Sequence, residues 1–471
     1  MNKALILFTM AMFTTGIVTA AEVKKDVKTM SPNDSVRIVL PDKYIAIVGT
    51  PIQLFYRGLV ESANPYQYNI VVDCSKGNDT RRYWQYTPIL ADVGSHPLMI
   101  RVYSDGNKLL ASATTEVEVV CKAQNPATVK NILTIGDSLN AGGFGWGSKL
   151  AAQVVRGIDR LPGLSAFSNF EFIGEQGLAP EQYTACGGSW WIGYNIAPDQ
   201  ATADIWVYCT HNKDASDQES IWVDTASHQW QLETIESNRL MFKRHGHTAN
   251  MPGAPTSLTH ALNANHTAPV SYTSTQAAGK SPFWNSKTSK VDFINWFATK
   301  YPAKTGQGID ACFVLFGWNS QRANYANITD HKNYLKEAKI FIDNLHADYP
   351  DCKVFVMGIQ VPSTDGGLGY NYGAKENSLS NYWGMLRTVM GLNLAYQSLC
   401  NEAAYSKFCT FINISGQFDS ENNMRQIATA VNLRSTKTEL RGNNGVHPSR
   451  KEGYLQISDA AIRCLVKCFC Q

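Results

Sequence analysis

The chain carries little charge and almost no imbalance of it. Of 471 residues, 17% are charged, and 42 Lys and Arg face 39 Asp and Glu for a formal net charge of +3. This excludes the basic face that a nucleic-acid partner requires. Short pairs such as Lys24-Lys25 and Arg81-Arg82 read as solvated surface. Long apolar runs are missing too: beyond the start of the chain, no stretch reaches the ~18 apolar residues of a membrane-spanning helix. Metal-ligand sets are incomplete. Cys464, Cys468 and Cys470 cluster without a fourth ligand nearby, and His245-x-His247 has no carboxylate or cysteine set to complete it. No metal and no cofactor is expected.

A core is amply provided for. At 44% hydrophobic residues, extended disorder is excluded, and the length suits two or three domains. Met1 to Ala20 places Lys3 before the apolar stretch Ala4 to Val18, with Val18-Thr19-Ala20 before Ala21. That is the pattern of a secretory signal peptide. The mature chain is therefore expected to be exported, to the periplasm or the exterior of a bacterium, without a membrane span. Eleven cysteines in an exported chain predict disulfides, and the odd count leaves at least one thiol over. Cys74 with Cys121, and Cys400 with Cys409, are candidate pairs.

Residues 22–125 alternate with period two. Ile52, Leu54 and Tyr56; Tyr66, Tyr68, Ile70 and Val72; Leu98, Ile100 and Val102; and Val117 and Val119 each mark one strand face. Turn residues fall between them, so an immunoglobulin-like β-sandwich is expected, read as a structural or docking module. After a linker at Ala123-Gln124-Asn125-Pro126 the pattern changes. Trp146, Leu150, Val154 and Ile158 share a helix face, as do Tyr334, Ala338, Phe341 and Leu345. Val354 to Ile359 and Cys409 to Ile414 read as buried strands. Alternating strands and helices over 126–471 predict an α/β domain with a parallel sheet covered on both faces. Alternation around Ile221, Trp230 and Leu240 predicts a β-rich insertion at about 203–290, where His245, His247, His260 and His266 read as surface or substrate-contact residues.

Four short blocks carry the chemistry. Gly136-Asp137-Ser138-Leu139 follows the apolar run Asn131 to Ile135, so a serine stands where a strand meets a Gly-rich loop. A hydroxyl presented there, beside backbone N–H groups, suits a nucleophile with an oxyanion hole. Cys186-Gly187-Gly188-Ser189-Trp190-Trp191 comes next, then Gly317-Trp318-Asn319 at the end of the run Cys312 to Phe316. Asn444-Gly445-Val446-His447-Pro448 precedes a helical pattern, Gly453 to Lys467. Ser138 and Asn319 both fall at the C-terminal ends of strands, where open α/β sheets bind ligands.

Serine, glycine, asparagine and histidine in this order resemble the SGNH (GDSL-type) hydrolases over roughly residues 130–470. The resemblance implies an SGNH-type sheet flanked by helices and a serine esterase with an acyl-enzyme intermediate. Ser138 would be the nucleophile and His447 its general base, since an imidazole titrates near working pH. The oxyanion hole would combine the Ser138 N–H, the Gly187 N–H and the Asn319 amide, with Gly188 the alternative glycine. Asn444 stands where the family usually has aspartate, three residues before the histidine. That puts the triad in doubt and leaves a Ser-His dyad, with Asn444 or a backbone carbonyl orienting the ring.

The family includes carbohydrate O-acetylesterases, lipases, arylesterases and thioesterases. Trp190, Trp191 and Trp318, with Trp146, flank the motifs and are read as flat walls for sugar rings, although most tryptophans are core or half-buried. With the export signal and the absence of a long apolar lid, they favour removal of O-acetyl groups from a glycan over hydrolysis of lipid or other small esters. The rival from another class is a non-catalytic carbohydrate-binding protein on a hydrolase scaffold, motivated by Asn444.

Overall fold

Side chains at alternate positions face opposite sides of a strand, and the N-terminal region obeys this closely. The computed structural model describes residues 36–185, 191–195, 203–210, 221–223, 229–235, 239–244, 257–260, 263–277, 281–321, 332–363, 379–442 and 444–471. The expected signal peptide at 1–20 lies outside them. Strand Gly94–Tyr103 buries Leu98, Ile100 and Val102, and strand Leu109–Val120 buries Val117 and Val119. The two pair antiparallel. Asn69–Asp73 lies beyond the first, and Lys43–Ile47 runs parallel to the second. A three-stranded sheet of Ile52–Phe55, Tyr83–Tyr86 and Asn78–Asp79 completes the region. Leu54, Trp84, Leu98, Ile100 and Val117 belong to one core.

Two strand expectations are corrected. Tyr56 opens a short helix, Tyr56–Leu59, rather than continuing the strand of Ile52 and Leu54. Tyr66 and Tyr68 precede the strand of Ile70 and Val72. Pro65, whose fixed φ suits the first helical position, starts a 3-10 turn there, and the strand begins only at Asn69.

The second region is built on a parallel sheet in the order Phe170–Ile173, Lys130–Gly136, Ala311–Leu315, Lys353–Met357, Cys409–Ile412. The central Ala311–Leu315 strand is buried throughout, as expected of a sheet covered on both faces. Ala338, Phe341 and Leu345 of helix Lys332–Asp348 are fully buried. The helix beginning at Trp146 is shorter than its spacing suggests. It continues as a π-turn, Ala152–Arg156, and stops at Gly157, whose φ of 67° is the left-handed conformation that ends helices. Ile158, expected on its buried face, is exposed. Residues 203–277 include a six-stranded closed barrel, with Trp222, Trp230 and Leu258 buried.

The β-rich region does not hang from a free linker. Gln124 N–H donates to the Cys470 carbonyl, and Asn169 Nδ2 donates to that of Pro126. Asn413, buried after the last strand of the parallel sheet, donates through Nδ2 to the Val39 carbonyl at 3.0 Å and to the Tyr44 hydroxyl at 3.2 Å. Arg57 and Arg82 ion-pair with Glu421, and Arg82 also with Asp419. The backbones meet at Gly58, where an added Cβ would stand 1.7 Å from the Ser415 carbonyl oxygen. Residues 36–471 form one compact unit.

The candidate pairs Cys74 with Cys121 and Cys400 with Cys409 are corrected as well, while Cys186 lies outside the described residues. Cys74, Cys121, Cys400 and Cys409 are free thiols, as are Cys312, Cys352, Cys464, Cys468 and Cys470. Burial pushes the Cys400 thiol above its usual range, and Cys409 up to about 12. They are core residues, small and apolar.

Two outcomes are expected. Gly58→Ala forces backbone against backbone and should cost about 1–3 kcal/mol of stability; an unchanged urea midpoint would show that the contact can relax. Burial raises the Asp459 carboxyl to about 6, against the opposing pull of Arg463 and the bond from Gln153. The folded chain therefore holds this proton more tightly than the unfolded one. Stability from it is present below about pH 4 and lost as pH rises through about 6. Asp459→Asn, which cannot ionise, should gain melting temperature over the wild type across that window. Parallel melting curves there would exclude the shift.

Candidate functional site

The site is assembled where neighbouring parallel strands end at one level. Gly136 pairs in register with Leu315, and Leu315 with Met357. Ser138, Asn319 and Gln360 therefore leave the same edge of the sheet within a few residues of one another. Asp137 makes the first turn. It is fully buried and caps a short 3-10 segment, Ser138–Asn140, with Oδ1 accepting the Leu139 N–H at 2.9 Å. Its Oδ2 accepts from Asn319 Nδ2 at 2.8 Å. One carboxylate thus fixes the serine turn and the asparagine of the next strand. Asn140 continues the brace, donating to the Thr184 carbonyl and accepting the Gly147 N–H.

His447 arrives from the far end of the sequence. Its Nε2 lies 2.9 Å from Ser138 Oγ, within direct hydrogen-bonding reach. Ser138 is partly exposed and His447 is buried, so the hydroxyl meets solvent while the ring is shielded. The turn carrying the ring is held from two sides. Asn444 Oδ1 accepts the N–H groups of Val446 at 2.9 Å and His447 at 2.7 Å, and Gln360 Nε2 donates to the Val446 carbonyl at 2.6 Å. Asn444 and Gln360 are both buried.

Asn444, expected to orient the ring, holds the turn that carries it. Two main-chain donors occupy the two lone pairs of its Oδ1, so the oxygen acts on the turn and orients His447 through the backbone. Asp137, Asn140 and Gln360 were missed from sequence. Gln360 had a signal: like Ser138 and Asn319, it directly follows a buried strand at the C-terminal edge of the sheet.

The tryptophan walls are corrected. Trp191 is fully buried, donates from Nε1 to the Tyr396 hydroxyl at 2.8 Å, and packs edge-on against Phe316. Trp318 is 3% exposed and Trp146 not at all. These indoles are core, and none offers a face to a sugar. Gly187, Gly188 and Trp190 lie outside the described residues. Among the described residues no group of histidine, cysteine and carboxylate side chains suits a metal ion.

No family model matches the chain, and no curated protein does. Solved structures give distant likenesses. A peptidoglycan O-acetylesterase is 11% identical, over 72% of this chain and 92% of its own, at a TM-score of 0.24. A possible lipase from Chitinophaga pinensis is 13% identical, over 36% of this chain and 77% of its own, at 0.22. The sialic acid binding region of a Streptococcus sanguinis adhesin is 9% identical at 0.15, over 21% of this chain, which spans only 33% of that one. Likenesses at this level carry no argument about fold or activity. The geometry has to speak for itself.

The Asn444 assignment is testable by unfolding. Asn444→Ala strands two buried N–H groups and should cost about 1–3 kcal/mol. Asn444→Asp keeps an acceptor for both and should cost less. Equal midpoints for the two variants would show that the turn does not rest on these bonds.

Proposed function

We propose that the chain is an exported serine esterase of the SGNH type, working through Ser138 and His447. The observation that carries this reading is the 2.9 Å contact between His447 Nε2 and Ser138 Oγ, formed between motifs at opposite ends of the α/β region. A serine hydroxyl is a poor nucleophile until a base takes its proton. His447 would take that proton as Oγ attacks the ester carbonyl, then return it to the departing alcohol oxygen. Water, activated by the same ring, would release the acid and free the serine.

The oxyanion formed in each step needs donors already in place. The Ser138 N–H is engaged by none of the turn bonds described above. The Asn319 amide, anchored by Asp137 Oδ2, is the proposed second donor. The Gly187 N–H is the proposed third.

For the substrate we infer an O-acetylated carbohydrate. Stacking on Trp191 and Trp318 no longer supports this; the export signal and the lack of a long apolar lid do. Turnover of acetylated xylan against para-nitrophenyl esters of increasing chain length tests it. Acetate release is expected, with rates falling as the acyl chain lengthens. Rates that rise with chain length, with no acetate from any glycan, would replace it by a lipase reading.

The chemistry itself has a sharper test. Ser138→Ala should abolish labelling by a fluorophosphonate and reduce para-nitrophenyl acetate turnover to background, with an unchanged melting curve. His447→Ala should lower kcat by about 10²–10⁴-fold. Full turnover in either variant would remove the proposal.

A further inference from the structure

Two arginines of the β-rich region meet the α/β region at one loop. Arg57 sits in the short helix Tyr56–Leu59, and Arg82 directly precedes strand Tyr83–Tyr86. The Arg82 carbonyl accepts the Tyr56 N–H at 3.0 Å, which sets the two side chains beside each other. Arg82 spans two carboxylates, with Nη2 on Asp419 Oδ1 at 2.6 Å and Nε on Glu421 Oε2 at 2.8 Å. Arg57 Nη2 lies 3.2 Å from the other Glu421 oxygen, and the Tyr66 hydroxyl donates to Glu421 Oε2 at 2.7 Å. Exposed ion pairs are worth little. Here Arg57 and Asp419 are buried, and charge-assisted bonds shielded from water are the strong kind.

The loop they grip is braced from within. Asp419 Oδ1 also accepts the N–H groups of Glu421 at 3.1 Å and Asn422 at 3.3 Å, and the Asp419 N–H donates to Gln456 Oε1 at 2.9 Å. The Asp419 carbonyl accepts the Asn423 N–H at 2.9 Å. From there the loop reaches the candidate site. The Asn423 carbonyl accepts the Ser449 N–H at 2.8 Å, and Met424, which is buried, pairs antiparallel with Pro448. Pro448 directly follows His447. The chain just beyond the ring therefore rests on a loop that the arginines fasten.

We propose that Arg82, backed by Arg57, is a positioning residue for His447. By holding Asp419 and Glu421 it fixes residues 419–424 against Pro448 and Ser449, and through them the ring against Ser138. Asn444 and Gln360 hold the turn at the Val446 carbonyl and the N–H groups of Val446 and His447. The loop holds it on the other side of the ring. The β-rich region then supports the candidate site as well as docking on the sheet. The coupling to the turn stands on these contacts alone, whereas its consequence for turnover rests on the esterase reading. A base misplaced by about 1 Å can cost about 10²-fold in rate.

Hydrogen exchange followed by mass spectrometry on the full chain, with steady-state hydrolysis of para-nitrophenyl acetate, tests the proposal. Arg82→Met should speed exchange of residues 445–450 by at least about tenfold and leave strand Lys353–Met357 unchanged. It should lower kcat by about ten- to a hundredfold with KM unchanged. Glu421→Gln keeps the shape and removes the charge from the other side of the contact. It should shift both readouts in the same direction by less, and it covers the case in which the methionine variant fails to fold. Lys467→Met is the control. It breaks the pair with Glu118, which also joins the two regions but at the far end of helix Glu452–Phe469, and should leave both readouts at wild type. Wild-type exchange of 445–450 in Glu421→Gln or folded Arg82→Met overturns the proposal. So does acceleration shared equally by Lys353–Met357 or by Lys467→Met, or faster exchange with an unchanged kcat. Absence of turnover in the wild type counts against the esterase reading alone, and the exchange then decides whether Arg82 holds the His447 turn.

Discussion

One buried carboxylate joins the two halves of the candidate site. Asp137 holds the Leu139 N–H with one oxygen and the Asn319 amide with the other, and it can do so because the parallel register brings Gly136 level with Leu315. In a parallel pair every strand exits on the same edge, so residues far apart in sequence share that edge without further arrangement. Register decides where the loops begin. Asp137 decides where they point. A shift of the register by one residue would turn the side chains to the opposite face and separate Ser138 from Asn319.

The elements readable in the sequence are those in which burial repeats at a fixed period. Residues 131–135, 312–316 and 409–412 are apolar enough to be strands in any α/β arrangement, and the helix containing Ala338, Phe341 and Leu345 declares its buried face. What local pattern did not reveal was where elements stop. Pro65 and Gly157 impose backbone angles that override the apolar spacing around them, and so Tyr66, Tyr68 and Ile158 fall outside the expected elements. Tertiary burial was hidden for a different reason. A tryptophan beside a motif reads the same whether it lines a cleft or a core, and only Phe316, Phe341 and Tyr396, closing on Trp191, distinguish the two.

Satisfaction of polar groups was the least legible layer. That Gln360 would reach the Val446 carbonyl, or Asn413 that of Val39, depends on chain segments more than eighty residues apart meeting in space. Yet these bonds give the structure its rigidity where it is needed. An unpaired buried polar atom is expensive, so each such partner constrains the other. The His447 turn is held in this way on both sides, by Gln360 from the sheet and by Asn444 from within.

The asparagine at 444 gains its meaning from that arrangement. An aspartate whose oxygen faces an imidazole contributes negative charge to the imidazolium, whereas an amide oxygen turned toward two backbone N–H groups contributes only geometry. Geometry still has value for catalysis. A base held within hydrogen-bond reach of its nucleophile loses little entropy in reaching the reactive arrangement. Here that reach is supplied by the main chain of Val446 and His447, which the amide oxygen grips. The burial of His447 adds a second effect, since a hydrogen bond shielded from water is strengthened. Position is therefore secured by Asn444 and Gln360, while the charged ring receives no help from Asn444 beyond a neutral dipole. On this reasoning the bond from His447 Nε2 to Ser138 Oγ is well formed in the resting chain, because the main chain that carries the ring is held by Asn444 and Gln360 together.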